Sequence, residues 1–232
     1  MEHLPVYINI VFVLTTILTL LLLYKATQHL KPLIIAILLW LALQSAIGLS
    51  GFYTVTTGLP PRLALLLFPP IILIISVFFR KKATAYIDGF DVKTLTLLHM
   101  VRIPVELTLY WLYLHKAVPQ IMTFEGRNFD ILCGLTAPLV YYFGYIKKLL
   151  HRNVLLAWNI GCLVLLANIV ITAVLALPSP IQQVAFDQPN IALFYFPFIW
   201  LPGCIVPVVL FAHLATIRRL IKGTDNAPVA QI

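Results

Sequence analysis

The sequence predicts an all-α, polytopic transmembrane bundle of about seven helices, with the N-terminus outside and the C-terminus cytoplasmic. Three observations carry this. The 232 residues are 61% hydrophobic and only 10% charged, against roughly 25% charged residues in an ordinary soluble domain. The apolar residues come in runs of about 18 or more, long enough to cross a hydrocarbon core of about 30 Å as helix. Lipid offers the backbone no partner, so such runs pair internally as helices. Finally, the basic residues alternate between connections. Lys25, Lys31, Arg80, Lys81, Lys82, Lys93, Lys147, Lys148, Arg152, Arg218, Arg219 and Lys222 fall in odd-numbered connections or the C-terminal tail. The even-numbered ones hold only Arg62, Lys116 and Arg127. Cytoplasmic connections are the basic ones, which sets the orientation, and an even number of spans would scramble the pattern.

The spans read, in order, as residues 5–24, 32–52, 63–79, 94–114, 129–146, 154–177 and 191–217. The first is too long for the apolar region of a signal peptide, and no small-residue cleavage site follows it. Together they make residues 1–222 one transmembrane domain and 223–232 a short polar cytoplasmic tail. Proline recurs inside the spans, at Pro69, Pro70, Pro104, Pro138, Pro197, Pro202 and Pro207. Each removes a backbone donor, and the run FPFIWLPGCIVP predicts a broken or strongly bent seventh span.

The net charge of +8 sits in short connections, so its expected partner is anionic lipid headgroups and not nucleic acid. Cys133, Cys162 and Cys204 lie in apolar runs without CxxC spacing and read as small buried hydrophobes.

The fourth span carries the most chemistry. At about 100° per residue, His99, Arg102, Glu106, Tyr110 and Tyr113 fall within roughly 80° of one another on one face. Charges at this depth cost at least about 2.5–3.5 kcal/mol each, so they should turn inward and be paired. Arg102 and Glu106 are spaced to pair with each other. Pro104 between them frees the Met100 carbonyl. Elsewhere, Asn168 and Asn159 on the sixth span and Gln44 on the second read as interhelical hydrogen-bonding groups. Trp40 and Trp200 read as pocket-lining. Arg62, Glu125, Arg127, Asp130 and Asp187 read as a charged outer vestibule, with Asn128 or Asn190 capping the helix that follows it.

Seven spans with an outside N-terminus invite comparison with rhodopsins, but no span holds a central lysine for a retinal Schiff base. No HExxH, GxSxG or P-loop is present. The segments VRIPVEL, MTFEGRNFDILCGLTAP and AFDQPNIALFYFPFIWLP are similar to an uncharacterised family of bacterial seven-helix integral membrane proteins. That resemblance spans the fourth to seventh helices and implies no activity.

Three functions fit the residues. The first is binding or transport of a small polar or anionic ligand in an internal polar cavity, with Arg102 holding the anionic group, Glu106 as counter-charge or proton acceptor, Tyr110 and Tyr113 orienting the ligand, and His99, Asn168 and Trp200 among the ligand-binding residues. The second is a structural or partner-binding protein in which Arg102 and Glu106 merely pair. The third is a membrane haem or metal site using His99 and His213, whose depths match, with Arg102 on a haem propionate.

Overall fold

The computed structural model describes residues 4–223, so the expected tail beyond Gly223 lies outside the described residues. Among these, all regular structure is helical. The α-helices are α1 (Val6–Ala26), α2 (Lys31–Leu49), α3 (Ala64–Phe79), α4 (Lys81–Asp88), α5 (Val92–Leu98), α6 (Arg102–Leu114), α7 (Ile131–Val140), α8 (Arg152–Leu175) and α9 (Val206–Lys222). Short 3-10 turns occur at His99–Val101, Gln120–Met122 and Ala192–Phe194. Tyr141–Ile146 and Leu201–Ile205 are π-helical.

Four helices are long and apolar enough to cross a membrane: α1, α2, α8 and the continuous stretch Leu201–Lys222. They are five if α3 and α4, which meet at 93°, form one bent span. The buried threonines of α1 are locally satisfied: Thr15, Thr16 and Thr19 donate to the carbonyls four residues back, so none of these three hydroxyls is left unpaired in an apolar setting. Large side chains such as Leu14, Leu21, Leu39, Leu73, Leu135 and Val164 point outward. An apolar surface of this extent suits lipid better than water.

Two expected spans have another form. The fourth starts at Val92, where the Asp91 carboxylate accepts the Lys93 and Thr94 amides as an N-cap. It is then divided by the 3-10 turn His99–Val101. The cause is Pro104, third residue of α6, which has no N–H for the Met100 carbonyl. The fifth has only ten α-helical and six π-helical residues, Ile131–Ile146, against about 20 for a full crossing. It is short because residues 115–130 do not stay outside. They fold back into the bundle as a plug, burying Ala117, Val118, Met122, Thr123 and Asn128.

The seventh span is broken, as its prolines predict. The chain is irregular from Tyr195 to Phe198, and helix resumes at Leu201. It runs on to Lys222 and ends where Gly223 adopts φ +69°, a left-handed cap that glycine takes without strain. His213 is therefore near the middle of this helix, deeper than the sequence suggests.

The two ends of the bundle differ. At one end the Asp91 amide donates to the Ala26 carbonyl (2.8 Å) and Arg152 donates to the Ile221 carbonyl (2.6 Å). There Asp88 accepts from Arg218 (2.8 Å) and Lys222 (2.6 Å). Partial burial pushes the Asp88 carboxyl up, but the hydrogen bonds and charges of Arg218 and Lys222 outweigh it and hold the group below its usual range. These contacts gather the ends of α1, α4 and α9 with the starts of α5 and α8. This is the end that carries the twelve basic residues. At the opposite end, the Ile191 and Ala192 amides both donate to the Ala117 carbonyl (3.0 and 2.9 Å). Gln188 donates to the Tyr113 and Val118 carbonyls. The plug is thus tied to the approach to the seventh span.

Candidate functional site

Arg102 stands ten residues after Val92, about 15 Å along the α5–α6 segment and close to its midpoint. The guanidinium is 3% exposed. It donates from Nη1 to Asp130 Oδ1 (2.6 Å) and, more weakly, to the Cys162 carbonyl (3.5 Å). From Nη2 it donates to His213 Nε2 (2.8 Å). His213 Nε2 must then accept, so its proton is on Nδ1 and goes to Asn159 Oδ1 (3.0 Å). Asn159 in turn donates to the Leu155 carbonyl (2.9 Å). This tautomer is assigned from the network, as hydrogens are. The chain of bonds joins α6, α7, α8 and α9, and it holds His213 as a neutral imidazole.

The carboxyl that pairs with Arg102 is therefore Asp130 and not Glu106. Asp130, expected in the outer vestibule, is buried at the N-terminal end of α7. Its carboxylate accepts from no α7 amide, but an anion there meets the positive dipole end of a helix. The Arg102 contact fixes where α7 begins: about halfway through the bundle, with the plug filling the other half. Asn128 does not cap α7 in the expected way. Its Oδ1 accepts the Asp130 amide (3.1 Å), while its Nδ2 donates to Glu106 Oε1 (2.5 Å) and the Met122 carbonyl (3.0 Å). One asparagine thus ties the plug to the α6 stripe.

Four buried polar atoms here have no protein partner: both ring nitrogens of His99, Arg102 Nε and Glu106 Oε2. His99 is 0% exposed. It stacks face to face on His213, with ring centroids 3.8 Å apart, and meets Trp158 edge-on at 5.7 Å. No protein group satisfies these atoms, which leaves them to water or to a ligand.

The other expected site residues are spread out. Tyr110 and Tyr113 continue the stripe toward the plug, half-buried. Tyr110 lies beside Glu125 and packs on Phe124 (4.9 Å). Asn168 lies on an exposed face and donates to the Arg127 carbonyl (3.0 Å). Trp200 donates to Ser45 Oγ (2.9 Å) and Trp40 to the Gly203 carbonyl (3.0 Å), so both fasten α2 to the broken seventh span. Gln44 accepts from the Tyr53 hydroxyl. Arg62 donates to the Phe52 carbonyl and lies over the Phe52 ring at 4.5 Å. Asp187 is exposed. The vestibule residues do not gather into one cluster, because Asp130 has been drawn inward. The cavity beside the plug is about 50 Å³ and its walls are apolar, with Leu109, Met122 and Ile169 among them.

His99 and His213 are neighbours, but they do not fit a haem iron. Two axial imidazoles must aim nitrogens at a common metal. Here the rings lie flat on one another, and His213 Nε2 faces a guanidinium that would repel a cation. Among the described residues no group of three or more His, Cys, Asp or Glu side chains is placed to hold a metal ion.

Comparison with known proteins is silent on identity: no family model, no curated protein and no solved structure matches the chain.

Sequence reasoning missed the thiols. Cys133 and Cys162 are neighbours beside Arg102. No spacing signals this, because they come from different helices. Asn128 left a faint trace, as an asparagine two residues before an aspartate in the run EGRNFD.

Proposed function

We propose that this chain is a multi-pass protein of the cell membrane that binds or transports a small polar or anionic ligand at Arg102. The basic end of the bundle faces the cytoplasm under the positive-inside rule. With chain direction alternating at each connection, this puts the N-terminus outside and gives seven crossings, the fifth a half-length one completed by the plug.

The observation that supports the reading best is the mid-span Arg102 with its carboxylate partner at the start of a half-helix. Interrupted helices whose N-termini face the middle of the membrane are a common way to hold anionic groups there. An intramembrane ionisable group is a functional candidate by default. A purely structural pair would explain Arg102 and Asp130. It would not explain why His99 and Glu106 are buried beside them with unused polar atoms.

The site is closed, so ligand entry requires the plug to withdraw. The bonds to be broken include Asn128 to Glu106, Asn168 to the Arg127 carbonyl, Gln188 to the carbonyls of Tyr113 and Val118, and the Ala117 pairing. The test compares wild type with Arg102→Gln and Glu106→Gln in detergent. Acetate and inorganic phosphate are each added, and the thermal midpoint is followed, since a ligand of the folded state raises it. At least one anion should raise the midpoint of wild type. Arg102→Gln should remove the rise and Glu106→Gln should weaken it. If both variants respond as wild type does, the site is not at Arg102.

A further inference from the structure

Resting on that reading, we propose that the site is selective for a carboxylate and takes up one proton with each carboxylate it binds, Asp130 being the group that is protonated. The head of an aspartate side chain is chemically an acetate. In the closed protein this internal acetate already sits on Arg102, 2.6 Å from Nη1 and at the N-terminal end of α7.

Three of the five N–H donors of Arg102 are engaged: Nη1 by Asp130 and the Cys162 carbonyl, and one Nη2 hydrogen by His213 at 2.8 Å. Nε, which has no protein partner, and the second Nη2 hydrogen are left for a ligand carboxylate. Once that carboxylate is bound, two carboxylates share one guanidinium. Asp130 is 5% exposed, and a second uncompensated negative charge at this depth would cost roughly a hundredfold or more in affinity.

The groups around Asp130 give it no other cation. Glu106 faces it from α6 and, being a carboxyl, offers it no positive charge. Cys133 of its own helix and Cys162 of α8 are neighbouring thiols and carry no positive charge. His213 of α9 is held neutral by Arg102 and Asn159, and His99 is stacked on it. Charge balance then demands a proton from solvent. One O–H bond forms at an Asp130 carboxyl oxygen, and nothing is oxidised or reduced. Glu106 Oε2 and the His99 nitrogens, which lack protein partners, are the groups available to pass that proton.

The test is isothermal titration calorimetry of acetate against the purified full chain in detergent between about pH 6 and 8. One coupled proton makes the apparent Kd about tenfold weaker for each pH unit raised. Asp130→Asn, which needs no proton to stay neutral, should bind acetate with a Kd independent of pH, and more tightly than wild type at the alkaline end. Wild-type binding with a flat pH dependence would overturn the coupling and leave the Arg102 reading standing. Folded wild type that gives no acetate binding at any pH, or binding that Arg102→Gln retains, would overturn both. If Asp130→Asn does not fold, the wild-type slope decides alone.

Discussion

Arg102→Met alone is expected to destabilise the protein by about 3–5 kcal/mol, because it leaves Asp130 as a buried charge without its partner. The Arg102–Asp130 pair is almost fully enclosed, so solvent cannot step in. The double variant Arg102→Met/Asp130→Leu should recover most of that loss, since apolar side chains of similar volume often replace a buried pair without penalty. Unfolding in mixed detergent would measure both. Recovery in the double variant separates the two uses of the pair: stability returns, while anion binding does not. A double variant as unstable as the single one would mean that the damage lies in packing and not in charge.

Gly134→Val is the second large effect. A Cβ at Gly134 would come within 2.8 Å of Ile103 Cγ1 and 3.1 Å of the Ile103 backbone nitrogen. The side-chain atom can shift, but the backbone at the start of α6 cannot. Overpacking of this kind costs about 1–3 kcal/mol. Because α7 must move off α6 to relieve it, the Arg102–Asp130 bond should lengthen as well, and the acetate response should fall with stability. Gly161 of α8 is the control. Nothing lies within 4 Å of a Cβ there, so Gly161→Ala should leave stability unchanged or raise it by up to about 1 kcal/mol through helix propensity. Equal effects at the two glycines would refute the close α6–α7 contact.

Much of the helical architecture was legible in the sequence because lipid-facing helices declare themselves by length and apolarity. The break in the seventh span was legible from Pro197, Pro202 and Pro207. The inward stripe of His99, Arg102 and Glu106 was legible because charge at mid-span has nowhere else to go. What could not be read was pairing at long range. Arg102 has Glu106 at helical spacing, and spacing favours that pair. The fold instead brings in Asp130, 28 residues away. It does so because residues 115–130 dive inward, and their composition resembles any polar connection followed by a span. Where α7 begins followed the same error: a run from 129 to 146 looks like a short full crossing until Asp130 is seen bonded to mid-span Arg102. The stacking of His99 on His213 depended on α5 and α9 being neighbours, which no local pattern encodes.

The central claim is that this closed site opens to water while the protein stays folded, and a native thiol reports on it. Cys133 is 1% exposed and lies beside Arg102 and Asp130. With Cys162→Ser and Cys204→Ser removing the other two thiols, a water-soluble, membrane-impermeant methanethiosulfonate is added to the protein in liposomes, and modification of Cys133 is followed by mass. The account predicts steady modification of the folded protein, faster in Asn128→Ala, where the plug loses its tie to Glu106. A thiol that stays unmodified in both proteins until they unfold would contradict it, and would leave Arg102 and Asp130 as a structural pair.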